Sequence, residues 1–296
     1  MEGIIIKATG GFFLVRDAQG QEYLCRARGK LKRQQIDLIV GDRVLFSSTG
    51  AVSEAGGPRE GIVEEQLPRR NCLYRPRVAN VDLLVLVMAL KEPAPDWQLA
   101  SRLFVLAERQ EMKALLCLNK TDLLSADELA EVTGVLEPFP YPYILTSALL
   151  GRGVDTLKVR LQGAVAVFAG PSGSGKSSLL NAVQPGLSLK TNAVSEKVKR
   201  GRHTTRTVEL LPLEGNGAVV DTPGFSRLDF YDLEPEHLPA YFPEIKLRAA
   251  QCAFNNCCHI NEPGCAVREA AGSAQINGLR YEHYKLFFQE LLDRRK

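Results

Sequence analysis

The sequence predicts a multidomain fold: a small all-β barrel, then a central α/β unit with a parallel sheet, then a helical C-terminal part. Short β-rich runs separated by turn residues fill residues 1–70. Apolar strand-like runs then alternate with helical patterns, and a glycine-rich loop follows one of these runs. A group of cysteines lies near the end of the chain. We place the three domains at residues 1–70, 71–230 and 231–296.

The composition is that of an ordinary globular protein. The chain has 296 residues, of which 24% are charged and 45% are hydrophobic. The net charge is only +3, so any binding of nucleic acid must depend on local basic patches. The longest apolar run, Val81–Leu90, contains Asp82 and is too short to cross a bilayer. Since no export signal begins the chain, we expect a cytoplasmic protein with no membrane contact. We also expect a monomer.

The first domain is predicted to be an OB-type barrel. Its β-rich runs are Gly3–Asp17, Gln21–Ala27, Leu38–Ser48 and Gly61–Leu67. Barrels of this type often bind oligonucleotides. One loop-like segment carries the basic residues Arg26, Arg28, Lys30, Lys32 and Arg33, which suit an RNA phosphate backbone. A solvated loop on a spacer domain is an equal alternative. Arg69, Arg70, Arg75 and Arg77 then form a basic linker.

A phosphate-binding loop joins the apolar run Ala164–Ala169 to a helical pattern. The loop reads G-x-x-x-x-G-K-S, and with the start of the helix it supplies the predicted contacts Gly170, Pro171, Ser172, Gly173, Ser174, Gly175, Lys176, Ser177 and Ser178. Backbone N–H groups and the helix dipole favour phosphate here. Lys176 is expected to reach the β- and γ-phosphates, and Ser177 to hold Mg²⁺. This pattern predicts binding of a nucleoside triphosphate.

Two further motifs, each at a strand end, predict that the base is guanine. Asn119-Lys120-Thr121-Asp122 follows the run Ala114–Leu118, and Thr146-Ser147-Ala148 follows Tyr143–Leu145. The Asp122 carboxylate can accept hydrogen bonds from guanine N1–H and its 2-amino group, whereas adenine would leave that charge unpaired. Asn119 can hold the loop and the purine edge, and the stem of Lys120 can cover the base plane. The N–H groups around Ser147 and Ala148 can donate to guanine O6.

These motifs resemble those of the translation-factor class of P-loop GTPases, but in a different order. In that class the phosphate loop comes first, whereas here Asn119–Asp122 precedes Gly170–Ser177. The same sheet forms if the usual ends are joined and the chain is opened elsewhere, which surface termini allow. We therefore expect a circularly permuted GTPase fold. We also expect both appended domains to attach near one edge of its sheet.

The two switch segments are predicted after the phosphate loop. Lys190–Arg206 is strongly basic and contains His203, Thr204 and Thr205. We favour Thr205 as the Mg²⁺ ligand, with Thr204 in reserve, and both are expected to lie at the nucleotide. Asp221-Thr222-Pro223-Gly224 follows a strand, so Asp221 can hold Mg²⁺ and the Gly224 N–H can bind the γ-phosphate. Phe225 stands where related enzymes carry a Gln that orients water, and a phenyl ring cannot do this. His203 is therefore our catalytic candidate, with a phosphate or RNA contact as the alternative role for this residue.

The C-terminal cysteines predict a structural zinc site. The pattern Cys252-x4-Cys257-x-His259-x5-Cys265 supplies three thiolates and one imidazole, a tetrahedral zinc set. The spacing alone leaves Cys258 as an alternative to Cys257. Helices are expected at Pro235–Ala250 and from Leu279 to Arg294 on either side of the cluster.

Over essentially its full length, the chain resembles the RsgA family of small-ribosomal-subunit biogenesis GTPases. The resemblance rests on the reversed motif order, the Gly201–Thr205 segment, the hydrophobic residue after Gly224 and the Cys/His cluster. It implies an N-terminal OB barrel, a permuted GTPase core and a C-terminal zinc domain. It further implies late maturation of the small subunit, contact with rRNA, and GTP hydrolysis that the subunit stimulates. For zinc it selects Cys252, Cys257, His259 and Cys265, and it maps a catalytic histidine onto His203.

Two functional hypotheses follow. In the first, the GTP-bound protein docks on the small ribosomal subunit, hydrolyses GTP to GDP and phosphate, and leaves. In the second, it is a nucleotide-gated rRNA-binding module in which hydrolysis is incidental. The guanine motif disfavours a small-molecule kinase.

Overall fold

The N-terminal part of the chain is a closed five-stranded barrel. In this computed structural model, which describes residues 1–52, 57–187, 208–221 and 233–295, its elements are β1 (Glu2–Thr9), β2 (Phe12–Asp17), β3 (Glu22–Ala27), α1 (Gly29–Arg33), β4 (Arg43–Val52) and β5 (Arg59–Gln66). The strands pair in the order β1-β2-β3-β5-β4, and β4 pairs back to β1. Alternate residues fill the interior, so Ile5, Val15, Cys25 and Val63 are fully buried.

The basic segment after β3 is partly helical, whereas the sequence predicted a loop. Helix α1 forms in this segment because Leu31 packs into the barrel core, where only 3% of it is exposed. Arg28 is paired with Glu64. The segment is therefore anchored to the barrel by one apolar side chain and one ion pair.

The predicted basic linker is an ordered hairpin. Its strands are β6 (Cys72–Tyr74) and β7 (Arg77–Ala79), and Leu73 and Val78 are buried in the core beside the central sheet. Three of its arginines form ion pairs with aspartates: Arg69 with Asp42, Arg70 with Asp82 and Arg77 with Asp37. The guanidinium of Arg69 lies 2.6 Å from the fully buried Asp42 carboxylate, and that hydrogen bond raises the pKa of Arg69.

The central sheet is parallel apart from one edge strand. Its strands are β8 (Leu83–Ala89), β9 (Lys113–Asn119), β10 (Tyr143–Leu145), β11 (Val165–Ala169), β12 (Glu209–Leu213) and β13 (Gly217–Asp221). They lie in the order β10-β9-β8-β11-β13-β12, and β12 runs antiparallel to β13. At that edge Lys7 of β1 pairs with Glu209 of β12, and their side chains form an ion pair of 2.8 Å. The barrel and the central strands thus belong to one continuous sheet.

Helices cover both faces of the central sheet. Helix α2 (Trp97–Arg109) and α3 (Ala126–Gly134) pack on one face, and α4 (Val154–Leu161) and α5 (Lys176–Val183) pack on the other. Because both faces are covered, β8 is buried along its whole length, as its continuous apolar sequence predicts. A short 3₁₀ turn, Thr121–Leu123, follows β9. This is the circularly permuted P-loop GTPase fold that the sequence predicts.

The C-terminal part is helical. It contains a 3₁₀ helix at Pro235–Tyr241, then α6 (Pro243–Ala249), α7 (Ala266–Gly272) and α8 (Gly278–Arg294). The single helix predicted at Pro235–Ala250 is two helices, because Pro243 has no N–H to continue the first and instead begins the second. The aromatic stripe of α8 is buried as expected: Tyr281, Tyr284, Phe287 and Phe288 are at most 9% exposed.

The two appended parts do not attach to one edge of the sheet, so that prediction is wrong. The barrel joins the edge strand β12, whereas the C-terminal helices pack on the outer side of α2. Ser101 Oγ of α2 lies 2.8 Å from His283 Nδ1, and Arg102 pairs with Glu290 at 2.6 Å. None of the helices among the described residues is long and apolar enough to cross a membrane.

Candidate functional site

The phosphate loop lies between β11 and α5, where the sequence predicts it. Gly170 follows Ala169, the last residue of β11, and the first turn of α5 begins at Lys176 with Gly175 as its N-cap. The first N–H groups of a helix have no partner within the helix, so those of α5 can bind an anion. In this segment Ser174 is buried, Pro171, Gly175, Lys176 and Ser177 are half-buried, and Ser172, Gly173 and Ser178 are exposed.

Two glycines of this loop cannot be replaced without strain. Gly170 has φ +137°, and a β-carbon on it would lie 2.1 Å from the carbonyl oxygen of Val87. Gly175 has φ +91°, and a β-carbon there would lie 2.3 Å from Asn119 Nδ2. Both positions combine a left-handed backbone with a close neighbour, which only glycine tolerates. The loop is therefore packed directly against β8 and against the predicted base motif.

Lys176 points back across the loop. Its ammonium donates to the carbonyls of Gly170, at 2.9 Å, and Pro171, at 2.7 Å. Burial lowers the pKa of Lys176 because the charged ammonium has lost part of its hydration. An anion bound in the loop would supply the negative charge that favours the protonated form.

Asn119 joins the predicted base motif to the phosphate loop. Its side chain is 1% exposed, and its Nδ2 donates to the carbonyl of Ser174 at 2.9 Å. Its Oδ1 accepts from Thr146 Oγ1 at 3.2 Å and from the N–H of Ala148 at 3.3 Å. One buried amide thus connects segments that lie 55 residues apart in the sequence. The motifs that occur in reversed order along the chain are side by side in the fold.

The remaining base-motif residues lie around the same loops. Lys120 adopts a left-handed conformation, φ +63°, and Asp122 accepts a hydrogen bond from the Ser147 hydroxyl. The N–H of Ser147 donates to the carbonyl of Arg152 at 3.0 Å, and the N–H of Ala148 donates to Asn119. Of the two predicted donors to guanine O6, Ala148 has the longer bond, at 3.3 Å, and is therefore the easier to redirect.

The predicted Mg²⁺ ligands are only partly described. Ser177 lies in the first turn of α5, and the backbone of Asp221 ends β13, the parallel neighbour of β11. The carboxyl ends of both strands lie at one edge of the sheet, so the backbone brings these positions to the same side. The side chain of Asp221 and the predicted residues His203, Thr204, Thr205 and Gly224 lie outside the described residues.

A second cluster in the C-terminal part can hold a metal ion. The ligand atoms of Cys252, Cys257, His259 and Cys265 all lie within 4.8 Å of one another. Cys258 is not in this group, and its thiol lies 3.8 Å from the carbonyl of Asn256. The structure therefore favours Cys257 at the position that the spacing alone left open. Burial lowers the pKa of His259, and this shift favours the neutral imidazole that a metal ligand requires.

Three side chains that the motif did not reveal hold the metal-cluster loop. Glu262 accepts from the N–H groups of Cys258 at 2.7 Å, Ile260 at 2.9 Å and Asn261 at 3.0 Å. Tyr281 and Tyr284 of α8 donate their hydroxyls to the carbonyls of His259, at 2.7 Å, and Cys258, at 2.6 Å. The aromatic stripe of α8 signalled a buried helix, but nothing in its spacing marked these hydroxyls.

Comparison with known proteins places the chain in a family. Residues 66–231 match the model described as RsgA GTPase, and residues 2–53 match the model of the RsgA N-terminal domain. The chain belongs to the RsgA family. A relative from Moorella thermoacetica, named "Small ribosomal subunit biogenesis GTPase RsgA", is 44% identical over 296 residues, with 100% of this chain and 99% of the relative covered. An RsgA relative of the same name from Thermotoga maritima is 43% identical over 297 residues, with 99% of this chain and 98% of the relative covered.

Two solved structures share the whole fold of this RsgA-family chain. The crystal structure of YjeQ from Thermotoga maritima has a TM-score of 0.84 at 39% identity and covers 98% of both chains. The structure of YloQ, titled a circularly permuted GTPase, has a TM-score of 0.83 at 35% identity and covers 99% of this chain and 95% of the other. The permuted motif order therefore corresponds to a known fold.

Proposed function

We propose that this protein is a GTPase that binds the small ribosomal subunit and assists its late maturation, hydrolysing GTP to GDP and phosphate. The observation that carries the proposal is the full-length match to relatives named for small ribosomal subunit biogenesis. The contacts of Asn119 support it independently, because they close the guanine motif and the phosphate loop into one site. Hydrolysis is expected to be slow alone and to be stimulated by the subunit.

In this proposal each part of the nucleotide site has its own task. Backbone N–H groups from Gly170 to Ser178 and the Lys176 ammonium bind the phosphates, and Asp122 selects guanine. Lys176 is the only basic side chain in that stretch and faces the loop carbonyls, from which it can turn to the phosphates. Asn119 keeps both halves at a fixed separation.

Ser177, Thr205 and Asp221 are proposed to hold Mg²⁺, which neutralises charge on the β- and γ-phosphates. Thr204 and the N–H of Gly224 are proposed to contact the nucleotide beside them. His203 is proposed to orient the attacking water, because Phe225 cannot. Loss of stimulated GTP turnover in a His203→Ala variant, with a normal rate of release from the small subunit, would show that hydrolysis is incidental. The protein would then be a nucleotide-gated rRNA-binding module.

The Cys/His cluster is proposed to hold one structural zinc ion. Tetrahedral bonds of about 2.3 Å to sulfur and about 2.05 Å to nitrogen place two sulfurs about 3.8 Å apart and a sulfur about 3.5 Å from the nitrogen. The Sγ atoms of Cys252 and Cys265 are 3.9 Å apart, and each lies 3.5 Å from His259 Nδ1. Four protein ligands leave no position for a reacting water, which supports a structural role.

We further propose that residues 1–70, 71–230 and 231–296 act as an rRNA-contacting barrel, a GTPase domain and a zinc domain. On the barrel, the cations of α1 itself, Lys30, Lys32 and Arg33, support RNA contact. The hairpin arginines support it less, because three of them are already paired with aspartates. A cytoplasmic monomer fits this role.

GTP hydrolysis by the full-length protein, measured with and without purified small ribosomal subunits, tests the proposal. Large subunits at the same concentration serve as the control. Turnover should rise with small subunits alone. Equal rates under all three conditions would contradict the proposed partner, and no hydrolysis of GTP in any of them would contradict the proposed activity.

A further inference from the structure

The loop between β8 and α2, residues 90–96, lies beside both halves of the nucleotide site. The Lys120 ammonium donates a hydrogen bond to the carbonyl of Glu92. Pro93 lies beside the phosphate loop, since a β-carbon placed on Gly173 would be 3.5 Å from Pro93 Cδ, an ordinary van der Waals separation. This loop carries none of the nucleotide motifs, yet one of its residues bonds the base motif and the next lies beside the phosphate loop.

The β8–α2 loop is fixed at both ends and at its side. The N–H of Leu90 donates to the carbonyl of Asn119 at 3.2 Å, and Lys91 Nζ lies 3.1 Å from Glu128 Oε1. At the other end Asp96 caps α2 by accepting from the N–H of Leu99 at 2.9 Å. A loop anchored in this way can hold a neighbouring side chain in position.

The backbone of Glu92, and not its carboxylate, makes the contact with Lys120. Glu92 has φ +53°, and its side chain is exposed. Residues with a β-carbon adopt this left-handed region only at a cost, and β-branched residues are the least tolerant of it. The direction of the Glu92 carbonyl therefore depends on which residue stands at this position.

We propose that Glu92 and Pro93 are positioning residues for the guanine nucleotide. The Glu92 carbonyl holds the Lys120 ammonium so that the methylene stem of Lys120 lies over the base plane. Pro93 supports the outer side of the phosphate loop at Gly173, while the Asn119 side chain supports its inner side. The inference rests on the guanine nucleotide binding proposed above and adds slow nucleotide release to it.

The contribution is one of binding and not of chemistry. The loop lies beside the base motif and the outer phosphate loop, and both of these bind GDP and GTP alike. Loss of the Glu92 contact is therefore expected to speed release of both nucleotides and to raise KM for GTP, with kcat at saturating GTP unchanged. A purely structural role would lower the amount of folded protein without this division between KM and kcat.

Three substitutions at Glu92 separate the backbone effect from the side chain. Glu92→Gly and Glu92→Asn tolerate a positive φ, whereas Glu92→Val does not. We would measure release of N-methylanthraniloyl-GDP from the full-length protein by stopped-flow fluorescence. Release should be about five-fold or more faster for the Val variant and within about two-fold of the original protein for Gly and Asn, as the difference in backbone cost predicts.

Glu111 provides a matched control. It too is an exposed glutamate with a left-handed backbone, φ +52°, but it lies between α2 and β9, at the opposite end of the sheet from the nucleotide loops. Glu111→Val imposes the same backbone conflict and should leave release unchanged. Pro93→Ala removes the ring beside Gly173 and should speed release by a smaller factor. The Pro93→Ala variant tests the inference if thermal melting shows that Glu92→Val does not fold.

Equal release from the Val, Gly and Asn variants would overturn the inference, as would an equal acceleration by Glu111→Val. If Glu92→Val does not fold, unchanged release from Pro93→Ala would overturn it. Failure of the original protein to bind the fluorescent GDP at all would instead refute the guanine nucleotide binding on which the inference rests.

Discussion

Replacing the buried Arg280 should destabilise the packing of the C-terminal helices. Its side chain is 3% exposed, and its Nε lies 2.7 Å from Oε1 of Glu244, whose side chain is 9% exposed. The guanidinium also lies 4.5 Å from the ring centre of Phe242 and 5.5 Å from that of Tyr141. Arg280→Met keeps the length of the side chain but leaves the Glu244 carboxylate buried without its cation. Removing one member of a buried pair costs about 3–5 kcal/mol, and the lost cation–π contact adds to this.

A double variant separates the pair from the surrounding packing. Arg280→Met combined with Glu244→Leu removes both charges, so it should be more stable than Arg280→Met by about 2 kcal/mol or more. Urea unfolding followed by the fluorescence of Trp97 and by far-ultraviolet circular dichroism gives the free energies of unfolding, provided that the two probes agree. The reasoning is refuted if Arg280→Met costs less than about 1 kcal/mol, the value for an exposed ion pair. It is also refuted if the double variant is less stable than the single one.

Three further predictions concern the two sites. Asp122→Asn should shift the preference from guanine toward xanthine nucleotides, measured by competition against a fluorescent GDP, because the amide can donate to the xanthine 2-oxo group. Cys257→Ser should lower the zinc content and the melting temperature, whereas Cys258→Ser should retain the metal; zinc per chain is measured by atomic emission, and the reverse pattern would exchange the two assignments. Gly175→Ala should weaken GDP binding by about ten-fold or more, because the new β-carbon meets Asn119 Nδ2 at 2.3 Å and the backbone there is left-handed; calorimetric titration with unchanged affinity would show that the loop can move aside.

The motifs predicted the nucleotide site because each has a local backbone reason for its residue types. The strand before Asn119 and the strand before Gly170 are continuous apolar runs, and parallel strands bring their carboxyl ends to one edge. Their adjacency could therefore be inferred without knowing the order of the strands. The contact between Asn119 and the Ser174 carbonyl could not, because it depends on the separation of β9 from the phosphate loop and not on either sequence alone.

The sequence did not reveal the interface on α2 because much of it is polar. Trp97, Ala100, Leu103, Phe104 and Ala107 predict the side that faces the sheet. A second stripe holds the buried Ser101 and Val105 and the half-buried Arg102. Its sequence is typical of a solvent-facing side, but His283 and Glu290 lie against it. Polar residues that are buried by pairing leave no hydrophobic period to detect. The β6–β7 hairpin also escaped prediction, because its arginines are typical of a charged linker although they are paired with aspartates.

The position of α2 also determines how the C-terminal part is attached. Val105 is fully buried in the cluster of apolar residues from the 3₁₀ helix, α6, α7 and α8, while Leu103 and Phe104 are fully buried in the core of the sheet. If the C-terminal helices separated from α2, apolar surface would be exposed and the contacts of Ser101 and Arg102 would be broken. The C-terminal helices are thus a structural layer of the same unit. Because α2 begins where the β8–α2 loop ends, the layer that contains the metal cluster is one helix away from Lys120 and the phosphate loop.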